Sequence, residues 1–187
     1  MRASILLLVT AIGLAALAGT SPQPALTPHV DVVPDDLLAR HLTIPIRGIE
    51  PKDLSPQFFD ARGEHGHEAL DIVAERGEPV VAVEDGTIAK LFLSKPGGIT
   101  VYQFDPTETY AYYYAHLDRY ADGLAEGQTV RRGQTIGYVG STGNAGQPHL
   151  HFAIFLLGPD KHWWQGEALD PYAVFAPSGP APPSDNL

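Results

Sequence analysis

A series of short β-prone runs, separated by turns that contain glycine, constrains the fold of this 187-residue chain more than any other feature. The runs are rich in β-branched and aromatic residues, a composition that favours strands over helices. They cover residues 79–83, 87–93, 99–104, 110–115, 135–139 and 149–155. No long amphipathic helical pattern follows residue 42, and the 19 glycines and 17 prolines suit tight turns. We therefore predict an all-β fold, in which an antiparallel sheet folds into a sandwich.

Two of the turns predict β-hairpins. Asp85-Gly86 lies between the first two runs, and Asp-Gly between such runs is a strong hairpin signal. A second hairpin of similar pattern is predicted from Val130, through the turn near Gly133, into the run at 135–139.

The start of the chain predicts export. Arg2 provides a short basic region, residues 5–18 are almost wholly apolar, and Ala16-Leu17-Ala18 fits a signal-peptide cleavage site. The apolar run is short against the ~20 residues that a spanning helix needs. We expect residues 1–18 to be a cleaved signal peptide, with an uncleaved anchor as the alternative. After cleavage no stable membrane anchor is expected, and the protein should be periplasmic or secreted.

Proline-rich segments flank the predicted folded part. Residues 19–41 are predicted to be a linker or N-terminal extension, with one short helix from Asp35 to His41. Residues 42–176 should hold the single domain. Residues 177–187 contain four prolines and no apolar pattern, so a disordered tail is expected.

Charge and cysteine content exclude several classes of function. The formal net charge is −10, and no cluster of Lys and Arg offsets it, so a nucleic-acid partner is not expected. The chain has no cysteine, which excludes disulfides, thiolate metal sites and cysteine nucleophiles. Any transition metal must therefore be held by His, Asp or Glu.

The segment His149-Leu150-His151 indicates a metal site. In a strand, alternate side chains share a face, so both imidazoles point the same way. A pair of surface histidines is the competing interpretation, but the apolar neighbours Phe152 and Ile154 favour an internal strand.

His67 and Asp71 can supply further ligands if the chain enters a strand between them. The same segment, His67-Glu68-x-x-Asp71, also approaches the helical H-E-x-x-H motif of zinc proteases. The flanking glycines and the absence of a further ligand at helical spacing disfavour that helix. His65 competes with His67 as a ligand, although only His67 has the four-residue spacing to the carboxylate.

These motifs together resemble the lysostaphin/LytM family of zinc peptidases. The similarity extends over about residues 60–156 in the order of the family. The segments that carry it are His67-x-x-x-Asp71, Tyr114-Ala115-His116-Leu117, Thr142-Gly143-Asn144 and Pro148-His149-Leu150-His151-Phe152.

The resemblance implies both a site and an activity. It implies that His67, Asp71 and His151 bind zinc, that His116 and His149 are catalytic without binding it, and that the fold is an antiparallel β groove of the duplicated hybrid motif type. It further implies a zinc endopeptidase that hydrolyses peptide cross-links of bacterial peptidoglycan, with stem peptides as partners. The sequence leaves open which bond is cut and which catalytic histidine is the general base.

Two other functions compete with this one. The first is a non-catalytic regulator of the same fold that activates cell-wall amidases. The second is a carrier or phosphotransfer domain, which the predicted export and Asp71 disfavour.

Overall fold

The computed structural model describes residues 33–62 and 65–176. The predicted signal peptide, the linker before residue 33 and the predicted tail lie outside the described residues. No helix in the described part has the length and hydropathy to cross a bilayer. The helices are α1 (Asp35–Leu38) and α2 (Pro171–Phe175), with a 3-10 turn at Pro51–Asp53. The strands are β1 (Ala61–Arg62), β2 (His65–Gly66), β3 (Leu70–Val73), β4 (Pro79–Val81), β5 (Gly86–Ser94), β6 (Gly98–Phe104), β7 (Tyr110–Tyr120), β8 (Thr129–Val130), β9 (Thr135–Val139), β10 (His149–Leu157) and β11 (Gly166–Leu169).

The nine strands from β3 to β11 form one antiparallel sheet, which confirms the predicted all-β class. Its main path runs β11-β10-β7-β6-β5-β8. β3 pairs with β10, while β9 pairs with β7 and carries β4 on its other side. β1 and β2 form a separate two-stranded ribbon.

The two predicted hairpins are wrong in their pairing. β4 and β5 flank Asp85-Gly86, but β4 pairs with β9 and β5 pairs with β8. The strands on either side of the first turn therefore pair with the strands on either side of the second turn, and neither turn closes a hairpin of its own. Gly86 is not at positive φ, which the common Asp-Gly hairpin turn requires. Glycine is needed here because the backbone packs closely against β6: a Cβ at this position would lie 2.1 Å from the carbonyl oxygen of Phe104.

Alternation along β7 separates a core face from an open face. Tyr112 and Tyr114 are fully buried in the core. The Tyr114 hydroxyl donates to Gln103 Oε1 at 2.8 Å and accepts the Val83 N–H at 3.1 Å. Tyr113 points to the opposite, open face, where its ring is half-buried. The open face carries the site described below.

The segment before residue 42 packs on the sheet. Leu37 of α1 is fully buried, and Val33 also belongs to the hydrophobic core. Arg40 forms ion pairs with Glu84 at 3.1 Å and with Asp105 at 2.9 Å. The short helix predicted from Asp35 to His41 is present as α1, which ends at Leu38. The domain boundaries predicted from the sequence, after residues 18, 41 and 176, stay predictions.

Candidate metal centre

Strand β10 places two histidines on the open face. His149 and His151 alternate with the fully buried Leu150, as expected for a strand. His151 lies in register with Asp71 of β3 on one side and with Ala115 of β7 on the other. The neighbouring strand therefore brings the carboxylate to the imidazole pair.

His67 reaches the same point from the turn before β3. The next residue, Glu68, has a φ of +53°, a left-handed conformation in the turn that joins β2 to β3. The His67 N–H donates to the Asp60 carbonyl at 2.8 Å, which holds this turn in place. Because Leu70–Val73 is a strand, the helical H-E-x-x-H alternative is wrong. The side chain of the other alternative, His65, lies outside what the structure describes.

His67, Asp71 and His151 converge on one point. His67 Nε2 lies 3.0 Å from Asp71 Oδ1 and 3.2 Å from His151 Nδ1, and His151 Nδ1 lies 3.0 Å from Asp71 Oδ1. Ligands at zinc bond lengths of ~2.0–2.1 Å in a tetrahedron lie about 3.3 Å apart. The separations in this triangle therefore fit one small cation.

Gln57 fixes the tautomer of His67. The backbone carbonyl of Gln57 accepts from His67 Nδ1 at 3.2 Å, so Nδ1 carries the hydrogen. In the neutral ring, Nε2 then presents a lone pair to the Asp71 carboxylate. One hydrogen on His151 cannot satisfy all three edges of the triangle, whereas a cation at its centre satisfies every lone pair. The donor set therefore fits a metal, and a ligand imidazole anchored by a carbonyl is common around zinc.

Asp71 is held in place by two further contacts, one to its carboxylate and one to its main chain. Arg62 Nη2 donates to Oδ2 at 2.9 Å, which leaves Oδ1 for the histidines. The Asp71 N–H donates to the side-chain Oε1 of Gln57 at 3.0 Å. Burial alone would raise the pKa of Asp71, but its contacts with the His151 and His67 rings outweigh burial and hold the pKa far below its usual range.

A β-bulge delivers His116 to the site. Val101 pairs with Tyr114 and Ile99 with Leu117, so Ala115 and His116 together face one residue of β6. Strict alternation would turn His116 into the core beneath Tyr114. A φ of +60° at His116 returns its side chain to the open face, where its ring centroid lies 4.8 Å from that of His149.

The Thr142-Gly143 segment holds His116 in this position. His116 Nδ1 donates to the Thr142 carbonyl at 2.8 Å. The Thr142 hydroxyl accepts from the Ile99 N–H at 3.0 Å and donates to the Leu117 carbonyl at 2.7 Å. Gly143, at a φ of +76°, packs so closely that a Cβ would lie 2.3 Å from the Pro96 carbonyl oxygen. These contacts explain the Thr142-Gly143 pair in the sequence: the threonine links β6 to β7, and the glycine allows the segment to pack closely beside His116.

His116 and His149 both present Nε2 to the cleft. His149 Nδ1 donates to the Gln147 carbonyl at 2.9 Å, and its Nε2 lies 3.5 Å from Asp71 Oδ1. Burial, together with the neighbouring His149 and His151, lowers the pKa of His116, although its bond to Thr142 acts in the other direction. The cleft has a volume of about 330 Å³, and its lining includes the four histidines and the aspartate singled out from the sequence as site residues.

Two positioning residues were missed by sequence reasoning. Gln57 uses its backbone for one candidate ligand and its side chain for another, and Arg62 binds the outer carboxylate oxygen. Both precede the motif in a segment without local pattern. The only available signal was their closeness in sequence to His67.

Comparison with known proteins identifies the family. The model of Peptidase family M23 matches residues 65–171. The chain belongs to peptidase family M23. It is 37% identical over 123 residues to an L-Ala–D-Glu endopeptidase of Bacillus subtilis, covering 60% of this chain and 36% of that protein. The chain thus spans about a third of the length of this relative.

Solved structures extend the comparison. The catalytic domain of lysostaphin from Staphylococcus simulans has a TM-score of 0.54 and 28% identity, covering 66% of this chain and 88% of that one. A zinc-containing peptidase from Vibrio cholerae has a TM-score of 0.50 and 25% identity, covering 63% of this chain and 34% of that one. M23 peptidases depend on zinc, and the cluster of His67, Asp71 and His151 fits that metal.

Proposed function

We propose that this protein is an exported zinc endopeptidase that hydrolyses peptide cross-links of bacterial peptidoglycan. The observation that carries the proposal is the triangle of His67, Asp71 and His151, with edges of 3.0–3.2 Å, faced by two more imidazoles. Two His and one carboxylate leave a fourth position free, which is the arrangement of catalytic rather than structural zinc sites.

The metal ligands in this proposal are His67, Asp71 and His151. When bound, zinc supplies a Lewis acid that polarises the peptide carbonyl and activates water for attack. Arg62 binds the outer oxygen of the Asp71 carboxylate, and Gln57 anchors the main chain of Asp71 by accepting its N–H.

The catalytic groups are His116 and His149. Because each Nδ1–H is committed to a backbone carbonyl, each neutral ring offers an Nε2 lone pair to the cleft. One ring takes the proton of the attacking water at Nε2 and passes it to the leaving amine. The other, in the imidazolium form that it reaches by taking a proton from solvent, donates a hydrogen bond to the oxyanion that develops on the carbonyl oxygen. The lowered pKa of His116 keeps that ring neutral and able to accept a proton near pH 7.

The substrate class follows from the relatives together with the predicted export. A relative from Vibrio cholerae is named a peptidoglycan DD-endopeptidase, and residues 1–18 of this chain fit a signal peptide. Glycosidic cleavage requires a pair of carboxylates that flank the bond. In the described lining of the cleft, Asp71 is the only carboxylate, and it is assigned to the metal.

Digestion of isolated peptidoglycan tests the proposal. The purified protein should convert cross-linked muropeptide dimers to monomers, release free amines and leave glycan strands whole, as measured by mass analysis. A chelator should abolish the reaction, and added zinc should restore it. New reducing ends without new amines would contradict the endopeptidase assignment. A zinc-loaded protein that cut neither bond would instead fit the non-catalytic regulator of amidases.

A further inference from the structure

A strip of aromatic side chains lies on the open face of the sheet beside the candidate metal centre. The members of this aromatic strip are Phe92, Tyr102, Tyr113, Trp163 and Trp164. Tyr102 and Tyr113 pair across β6 and β7, while both tryptophans come from the loop between β10 and β11. The ring centroids of neighbours within the strip lie 4.7–5.3 Å apart. The five rings therefore form one continuous surface.

One end of the aromatic strip enters the cleft, and the other end is open to solvent. The Tyr113 ring lines the cleft, with its centroid 6.0 Å from that of His151. At the far end, Trp164 is 60% exposed and Phe92 is 39% exposed. Large apolar side chains grouped at the surface in this way mark binding sites more often than scattered ones do.

We propose that the aromatic strip binds the glycan strand of the polymer while the cleft holds its peptide. This inference rests on the proposed function, because it assumes that the cleft takes peptides that are attached to sugar. An N-acetylated pyranose ring has a flat C–H face and polar edges. Trp and Tyr offer the complementary surface, a flat apolar ring that carries one polar group. The continuity of the strip with the cleft places such a subsite where attached sugar must lie.

Charge favours sugar over the other possible occupants. The five side chains of the strip are uncharged near neutral pH, and burial raises the pKa of Tyr102 and Tyr113 further. A stem peptide carries carboxylates, for which the five side chains offer no ionic partner, and Lys90 opposite Tyr102 is already paired with Glu126 at 2.8 Å. An anionic membrane attracts basic segments, whereas this chain has a net charge of −10.

Tryptophan fluorescence tests the proposal directly. Trp163 and Trp164 are the only tryptophans of the chain, so the emission reports on the strip alone. Tetra-N-acetylglucosamine should change the emission saturably, and Trp164→Ala should weaken its binding at least about tenfold, the scale of losing an aromatic anchor. The matched control is Phe59→Ala, which removes a ring that is 65% exposed and contacts Phe58 instead. It should bind the sugar as the parent does.

Other results would overturn the assignment to glycan. These are an unchanged emission at millimolar sugar, an equal loss of affinity in the control variant, or a response to phosphatidylglycerol vesicles in place of sugar. The titration is repeated with His151→Ala, which lacks a proposed ligand. Sugar binding should persist there, so failure of the proposed peptidase function and failure of the glycan subsite are told apart.

Hydrolysis of two substrates separates a glycan subsite from a peptide subsite. Trp164→Ala should lower the rate on intact peptidoglycan, mainly through a higher KM, and leave kcat/KM on a sugar-free cross-linked peptide near that of the parent. Because Trp164 is largely exposed, the substitution should not disturb folding. Equal losses on both substrates would assign the strip to the peptide and contradict the proposal.

Discussion

Replacement of Gln57 by methionine should weaken zinc binding without removing any ligand. Gln57 contacts two candidate ligands, but only one contact uses its side chain. Its Oε1 accepts the Asp71 N–H at 3.0 Å, whereas its backbone carbonyl accepts from His67. Gln57→Met keeps the size of the side chain and the backbone contact, and it removes only the acceptor for Asp71.

The magnitude follows from that single lost contact. A partly buried N–H without a partner costs about 1–3 kcal/mol, and the strand that carries Asp71 loses an anchor. Loss of a group that orients a ligand lowers metal affinity by roughly 10–100-fold. Because the bond to His67 remains, we expect the lower end, about tenfold, which corresponds to about 1.4 kcal/mol. Gln57→Glu keeps an oxygen acceptor and should recover most of the affinity.

Competition with a chromophoric chelator measures this effect as a zinc Kd. The matched control is Gln147→Met. The Gln147 carbonyl also accepts from a site histidine, His149, but its exposed side chain makes no hydrogen bond to the site within the described residues. Its zinc affinity should equal that of the parent. An unchanged Kd in Gln57→Met, or an equal loss in both variants, would refute the assigned role of Oε1.

Three further outcomes are expected. His67→Ala should lose both zinc, measured by metal analysis, and activity, because it removes a proposed ligand; full retention of zinc would reassign the site. His116→Ala should keep zinc while the rate falls by roughly 10²–10⁴, the scale of losing a general base or an oxyanion partner; loss of the metal would contradict its catalytic role. Burial would raise the pKa of Asp105, but hydrogen bonds from Thr107 and Tyr110 and the charge of Arg40 lower it overall, so its stabilisation is present above about pH 4 and lost as the pH falls through the folded value. Asp105→Asn should therefore destabilise the protein most near neutral pH, and denaturant midpoints that differ from the parent equally at pH 3 and pH 7 would argue against this.

Strands were predictable from the sequence because their signal is local. The run at 135–139 coincides with β9, and the runs at 87–93 and 99–104 match β5 and β6 within a residue at each end. Pairing between strands was not predictable, since it depends on contacts between distant segments. Asp85-Gly86 has the composition of a hairpin turn, yet β4 before it pairs with β9 and β5 after it pairs with β8.

The candidate site was predictable in composition but not in geometry. Alternation explains how His149 and His151 reach one face, and the register of β3 brings Asp71 beside them. Alternation gives the wrong face for His116, because Tyr112 and Tyr114 share the core face of the same strand. Only the bulge, with its left-handed residue, turns His116 outward. A bulge of this kind has no reliable local sequence signal, so the motif indicated the residue without indicating how it reaches the cleft.

The orientation of three site histidines depends on main-chain groups, which the sequence does not display. His67, His116 and His149 each donate Nδ1–H to a backbone carbonyl, so all three direct Nε2 toward the cleft. Every residue has a carbonyl, and its usefulness depends on where the chain folds rather than on its side chain. Side-chain substitution at those three carbonyl positions should therefore leave the tautomers intact unless it moves the backbone. The loss expected for Gln57→Met consequently reports on Asp71 alone, which makes it a test of the main-chain anchor of that residue rather than of the whole site.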